Sequence, residues 1–373
     1  MDFRFSVYAE YRVSLQFSGF VRNRFFGRAA QAVLILRGGS MNKTFFRKFA
    51  LTAVLGVFAS SSALAAVTGK VGHAMPEEHP QAVAMNKFAE LAAKYTNNNV
   101  KLKVFHSSVL GSDEKMLQAV QAGTQEFYIG TLAPFSAKVK EVQVWDLPFL
   151  FANTKQVYTV LDGAASKKIF TKLEPIGVHG LMWTGMGFRN LSNSKHPVTK
   201  LEDIAGLKLR VMANPVAMET WKTLGANAVP MAFAEVFTAL EIKAIDGQEN
   251  PLVHMYTNKM QEVQKYISLT NHVYTPVALI ASKKFWDKLS AADKEGVQKA
   301  AEEAKILQRQ LLDQGDKDVI EKFRKVGVQV DEVSAAELAK IQEKVKPVIT
   351  KFTPQIGEEF LKEFQAEIAA VAK

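Results

Sequence analysis

The chain has 373 residues, 48% hydrophobic and 23% charged, with a formal net charge of +10 and no cysteine. That length and balance suit a globular protein with room for two domains of common size. The lack of cysteine excludes disulfides, a thiolate metal site, a cysteine nucleophile and a lipid-bearing cysteine.

The first 65 residues distort the charge. Lys43, Arg47 and Lys48 precede an apolar run over 49–58, and Ala63 and Ala65 are small residues at the spacing a signal peptidase reads. The run is about half the length of a bilayer-spanning helix. This predicts a secretory signal over 41–65, cleaved after Ala65, and a product released into a periplasm. Residues 1–40 hold six arginines and no lysine and end in Arg37-Gly38-Gly39-Ser40. They read as a start site assigned too early, with Met41 the true start; the other reading is a genuine basic arm. Without residues 1–65, 38 of the 47 basic and 35 of the 37 acidic residues remain, a net of +3. That balance gives no footprint for nucleic acid.

The remaining chain alternates short β-rich runs with amphipathic stretches. The pattern predicts a strand over 67–74, a helix over 79–95, a strand over 100–106 and a helix over 113–121 capped by Gly123. A strand over 126–131 follows. Pro148 keeps the apolar run 145–151 out of a central strand, and a helical region and a strand over 176–184 come next. A second series starts near Gly187: a strand over 207–212, a helix over 216–224, a short extended run over 228–231 and a helix over 233–241. Strands over 266–269 and 276–281 precede a long helix over 291–326. Ser290 with Asp293 gives that helix a capping-box-like start, and Gly315 predicts one interruption. The end adds a strand over 327–333 and two helices. This alternation predicts α/β layers. There is no repeat and no loose linker, so two domains would be joined through structured elements.

Catalytic signals are absent from this pattern. No G-x-S-x-G-type turn is present. His73, His79 and His106 match no metal-ligand spacing and read as capping or surface residues. No acidic pair is marked out for acid/base work, and no cofactor is expected. Arginine is more informative. After residue 65 only Arg189, Arg210, Arg309 and Arg324 occur. Arg309 and Arg324 fall in the charged long helix and read as solvated. Arg189 follows a strand, and Arg210 sits in LKLRVM on the face opposite Leu209 and Val211. A planar guanidinium fork suits a carboxylate, so the pair suggests an organic acid ligand; a structural ion pair for each is the equal alternative.

Four segments, LGSDEKMLQAVQAG (110–123), WDLPFLF (145–151), GLKLRVMANP (206–215) and MAFAEVFTALEIKAIDGQENP (231–251), carry a family likeness. Together they resemble the periplasmic solute-binding subunits of TRAP (tripartite ATP-independent periplasmic) transporters, dicarboxylate type, over about residues 70–360. The resemblance implies an α/β, two-lobed periplasmic binding protein fold of the Venus-flytrap type, with a long helix connecting the lobes. One lobe would be 66–187 plus 276–316, the other 188–275 plus 317–373. It implies a small organic acid as ligand, membrane permease subunits as partners and a monomer that is not an enzyme.

The resemblance also assigns roles. Arg210 would pair with the ligand carboxylate in a two-pronged bond, Arg189 would lie near the same group, and Asn250 would hydrogen-bond it. Phe233 would pack on the ligand, and Asp113 would reach its hydroxyls from the opposite lobe. Thr131 stands where sialic-acid-binding relatives carry glutamate, which argues against sialic acid. His73, Met75 and Trp183 are further pocket candidates. In AIDGQENPLVHM (244–255), Gly247 and Pro251 predict a turn at a strand end that presents Asn250. Asp246 and Glu249 would face away or brace that turn, because a negative charge in an anion site opposes binding. A secreted enzyme on a similar frame is the second reading, and a secreted structural protein the third.

Overall fold

The computed structural model describes residues 66–371; the early start over 1–40 and the signal segment over 41–65 lie outside the described residues. The described residues open with β1 (Val67–Gly72), α1 (Pro80–Tyr95), β2 (Val100–Phe105), α2 (Asp113–Ala122) and β3 (Phe127–Gly130). A 3-10 turn over Lys140–Asp146 leads to α3 (Thr154–Asp162) and α4 (Ala164–Leu173). Then follow β4 (Val178–Asn193), β5 (Lys208–Val211), α5 (Pro215–Thr223), β6 (Asn227–Pro230), α6 (Phe233–Glu241), β7 (Gly247–Pro251) and α7 (Leu252–Thr257). The last part holds β8 (Tyr266–Ser282), α8 (Lys283–Trp286), α9 (Ala291–Lys325), β9 (Gln329–Glu332), α10 (Ala335–Ile356) and α11 (Glu358–Val371).

The strands form one mixed sheet in the order β2-β1-β3-β8-β4-β7-β5-β6, with β9 added beside β8. β1, β2 and β3 are parallel to one another, as are β5, β6 and β7. The long antiparallel pair β4 and β8 runs between these two parallel groups and belongs to both. This is the two-lobed α/β arrangement, with the two lobes sharing their central strands.

β8 merges the two expected runs 266–269 and 276–281 into one strand. Pro276 lies inside it, opposite Gly185, where the β4 register shifts before Gly187. A proline gives no ladder hydrogen bond, and a bulge tolerates that loss. β4 is likewise longer than the expected 176–184, because its partners on both sides complete a ladder that local composition does not announce.

α9 runs unbroken through Gly315, against the expected interruption. A Cβ there would stand 3.1 Å from a Val253 methyl, so the glycine lets α7 approach closely. The N-terminal half of α9, through Val297, Ala300 and Ala304, packs with Met85 and Phe88 of α1 and Leu279 of β8. Its C-terminal half, through Leu312, Val319 and Phe323, packs with Val236 and Leu240 of α6 and Val253 of α7. One helix therefore braces both parallel groups. α11 turns back over α3 and α4: Glu367 accepts from the Ala165 amide at 3.0 Å, and Phe364 packs on Trp145.

Arg309 is the other departure in this helix. Its side chain is only 13% exposed; it holds Asp162 and lies over the Tyr158 ring. Only Arg324, beside Glu321, is solvated as expected.

Candidate functional site

A single cavity gathers residues at or just beyond the C-terminal ends of β1, β3, β5 and β7. In open α/β sheets this is where backbone ends and helix starts leave a crevice for ligands. Ala74, Met75, Gly130 and Thr131 line it from the first parallel group, together with Gln81 of α1 and Asp113 and Glu114 at the start of α2. Arg210, Met212, Phe233, Asn250 and His254 line it from the second group, and Met186, Arg189 and Thr275 from the crossing strands. Arg210, Arg189, Asn250, Phe233, Asp113, Thr131 and Met75, separated by up to 175 residues in sequence, thus line one cavity.

Asn250 arrives there by a different route. Gly247–Pro251 is not a turn but a strand, hydrogen-bonded between β4 and β5. Gly247 is needed for that position, since a Cβ would fall 2.2 Å from the Ser192 carbonyl oxygen. Asn250 donates to the Gln248 side chain. Asp246 braces the strand's entry, accepting from the Lys208 amide at 2.9 Å.

The two arginines are both buried but differ in their partners. Arg189 binds Glu249 through Nε and Nη2, with Nη2 2.8 Å from Oε1, and its Nη1 donates to Thr275 at 3.0 Å. His272 Nε2 lies 3.0 Å from the same carboxylate, with Thr270 on its Nδ1. Burial alone would raise Glu249, but Arg189 and His272 outweigh it and hold the carboxyl well below its ordinary value. Asp146 lies beside this cluster; burial pushes it up to about 7, with Arg189 opposing and Glu249 adding to the rise. For Arg189 the ion-pair alternative is therefore realised; Glu249, expected to face away or brace a turn, lies in a strand and holds Arg189.

Arg210 has no carboxylate partner among the described residues. Its Nε and Nη2 donate to the Met231 carbonyl at 3.0 and 2.7 Å, and its guanidinium carbon lies 5.9 Å from the Phe233 ring centre. Burial, aided by Arg189, lowers it to about 10, so it stays charged at neutral pH. The result is a buried cation lining the cavity.

Opposite lie Asp113 and Glu114. Tyr128 donates to Asp113 Oδ1 at 2.9 Å, and burial nonetheless raises Asp113 to about 6. Thr131 Oγ1 accepts from the Ala133 amide at 3.2 Å.

Two predicted pocket residues lie elsewhere. Trp183 is buried in the main core, stacked on Phe170 and against Trp145, with Nε1 donating to the Ser166 carbonyl. Its ring belongs to the face of β4 that packs on α4. His73 stands one layer behind the cavity: Nδ1 accepts from the Met75 amide at 3.1 Å, and Nε2 contacts His106. Burial and the neighbouring histidines lower it to about 3. His79 caps α1, accepting from the Gln81 amide at 3.0 Å, as its sequence position suggests.

Gln81, Glu114, Met186, His254 and Thr275 line the cavity without having been marked by the sequence. Glu114 adjoins Asp113 in the quoted 110–123 segment, and His254 stands four residues beyond Asn250. For Gln81, Met186 and Thr275 no local pattern distinguishes a lining residue from a core one.

Two lobes sharing crossing strands, with a cavity between their strand ends, define the class of extracellular solute-binding proteins. Residues 71–355 match the family model of bacterial extracellular solute-binding proteins, family 7 (DctP), and the chain belongs to that family, the periplasmic solute-binding proteins of TRAP transporters. It is 33% identical over 327 residues to the C4-dicarboxylate-binding periplasmic protein DctP of Rhodobacter capsulatus, covering 86% of this chain and 98% of that one. The sugar acid binding protein DctPAm of Advenella mimigardefordensis, solved in complex with galactonate, matches with a TM-score of 0.81 at 40% identity, covering 83% of this chain and 99% of that one. A TRAP periplasmic solute-binding protein of Polaromonas sp. JS666, bound to D-erythronate, matches with a TM-score of 0.78 at 38% identity, covering 80% and 98%.

Proposed function

We propose that this protein captures a small organic acid in the periplasm, holds its carboxylate on Arg210 and delivers it to the membrane permease subunits of a TRAP transporter. The observation that carries this reading is the buried Arg210 guanidinium, which faces the cavity without a carboxylate partner. A cation buried without a counter-ion is costly, and a ligand carboxylate removes that cost through short, charge-assisted bonds. Asn250 adds a neutral amide beside the anion. Arg189, already tied to Glu249, contributes a fixed position and field, and Phe233 packs on the ligand. The names of relatives, which include a C4-dicarboxylate binder and a sugar acid binder, agree with a carboxylate ligand.

In this reading the lobes are 66–187 plus 276–316 and 188–275 plus 317–373. They close by bending of β4 and β8 near the register shift at Gly185 and Gly187, a hinge motion about element-terminal and bulged positions. The protein reaches the periplasm through the signal cleaved after Ala65 and acts as a monomer without a cofactor, releasing its ligand unchanged. Calorimetry with a panel of organic acids tests this: saturable binding of at least one acid, abolished in Arg210→Ala, with the acid recovered intact. A variant that binds as tightly as the parent would overturn the role of Arg210, and consumption of the acid would favour an enzyme.

A further inference from the structure

We infer that His254 is a positioning residue that holds the two parallel groups of the sheet together across the cavity, and that it does so only while its ring is neutral, so that acid loosens the hold and weakens ligand retention. This rests on the reading of the cavity as an acid-binding site and on no assumption about which acid binds.

The contact joins two of the hydrophobic cores. His254 lies in α7, whose Val253 and Met255 pack with Val236 and Leu240 of α6. Met75, just beyond β1, packs with Met85 and Phe88 of α1. His254 Nδ1 lies 3.1 Å from the Met75 sulfur, 179 residues away in sequence. The His254 ring also stands nearly perpendicular to that of His79, the cap of α1, with centres 5.9 Å apart. Phe233, whose ring centre is 4.4 Å from that of His254, packs on both cores.

Proton placement makes this contact sensitive to charge. A thioether only accepts, so Nδ1 of His254 carries the proton of the neutral ring and Nε2 is an acceptor. His79 is the reverse. Its Nδ1 accepts from the Gln81 amide at 3.0 Å, which leaves the proton on Nε2. Both Nε2 atoms are buried without a partner among the described residues. The neutral rings therefore offer one donor and one acceptor. Protonation of His254 makes both donors and adds a positive charge.

The surroundings oppose that charge. Burial lowers the basicity of His254 most, and His79, Arg189 of β4 and Arg210 of β5 lower it further. His79 is itself lowered to about 3 by burial, and His73 behind it likewise. Among the carboxylates, Glu249 of β7 is taken up by Arg189, and Asp113 and Glu114 line the cavity from α2. α9 meets α7 through Gly315 against Val253, with Asp313 and Asp316 beside that glycine in sequence. When the two sides part and water enters, His254 returns toward the ordinary imidazole value of about 6.5. A group whose pKa is depressed in the joined state favours the parted state as it takes up a proton. The hold is thus complete above about pH 6.5 and is lost as pH falls below it. Other groups near the cavity act in the opposite sense. Asp113, raised to about 6, and Asp146, raised to about 7, each lose a negative charge in acid, which strengthens anion binding.

Titration calorimetry from pH 8 to about 5.5 tests this, with whichever of D-galactonate, D-erythronate and D-glucuronate binds most tightly at pH 8; these monocarboxylates stay ionised over that range. In the parent the affinity should be level from pH 8 to 7 and fall several-fold by about pH 5.5, toward the limit of about tenfold that one imidazole sets one unit below its ordinary value. In His254→Gln, checked for an unchanged melting transition at pH 8, the fall should vanish or reverse. At pH 6, calorimetry in two buffers of different ionisation enthalpy should show binding releasing a larger fraction of a proton from the parent than from His254→Gln. A parent affinity that holds or rises in acid, a variant that falls in parallel, or equal proton release would overturn the role of His254 and leave acid binding standing. No binding of any of the three acids would overturn the reading of the cavity and the role with it. His79→Asn keeps a capping oxygen for α1 and removes the adjoining ring. There the fall in acid should shrink, and an undiminished fall would overturn the part of His79.

Discussion

Arg189 and Arg210 stand in the same cavity wall with nearly equal burial, 2% and 3% exposed, yet their electrostatic situations are opposite. Arg189 is one half of a closed network: Glu249 and Thr275 take its donors, and His272 holds the same Glu249 carboxylate. Arg210 is held only by the Met231 carbonyl and a ring face. The first arrangement stabilises the fold and is complete in the free protein. The second has no carboxylate partner among the described residues. The difference teaches that a buried charge is a binding group only where its compensation has been left out.

The largest effect should come from opening the closed network. Glu249→Ala leaves Arg189 buried without its carboxylate and should cost about 3–5 kcal/mol in urea unfolding. A loss under about 1 kcal/mol would mean that the pair is not the structural element described here. The mirror experiment is Arg210→Met. Stability should hold or rise, since apolar replacement of a buried charge is often neutral or stabilising, while carboxylate affinity should drop by about 2–5 kcal/mol. If the two variants behaved alike, the contrast between the arginines would collapse.

A pH series sharpens the same contrast. The native pKa of Asp146 is pushed up to about 7 from 3.8. Native protein thus holds a proton there that the unfolded chain has released, between the two values. That contribution to stability is present at low pH and is lost as pH rises from about 4 through about 7, with a slope of up to about 1.4 kcal/mol per pH unit. Asp146→Asn should remove this component, so the difference between variant and parent should tilt in favour of the variant with rising pH. A constant difference across that range would contradict the raised pKa. The smallest effect is expected from Phe233→Leu. It removes the ring face near Arg210 and should weaken acid binding by about 0.5–1 kcal/mol, measured by calorimetry. A loss as large as that of Arg210→Met would show Phe233 to be an anchor in its own right.

Much of this site was legible in the sequence. The scarcity of arginine after residue 65 draws attention to Arg189 and Arg210, the four quoted segments supply Asn250, Phe233 and Asp113, and the family resemblance adds Thr131 from outside them. What escaped has physical reasons. Trp183 and Met186 both lie on β4, and nothing local says which of them, on a strand buried on both sides, turns to the cavity. His73 is a polar residue just past a strand end, like Met75, yet its nitrogen caps the Met75 amide and turns it inward. AIDGQENPLVHM has the composition of a turn, but β4 and β5 flank it and supply hydrogen bonds from both sides. Arg309 has the sequence surroundings of a solvated residue, and only the packing of α3 against α9 brings Asp162 and Tyr158 to it.

The sequence by itself determined the α/β alternation, the caps at Gly123 and Ser290 and the family, and it singled out Arg189 and Arg210, because these depend on residue type and short spacing. Only the tertiary structure decided which arginine is compensated, which acceptors are left unpaired and how β4 and β8 bind the two halves. Those outcomes depend on which groups meet across long stretches of chain. A charge or an acceptor carries no mark in the sequence of the partner it will find, or lack, once water has been removed.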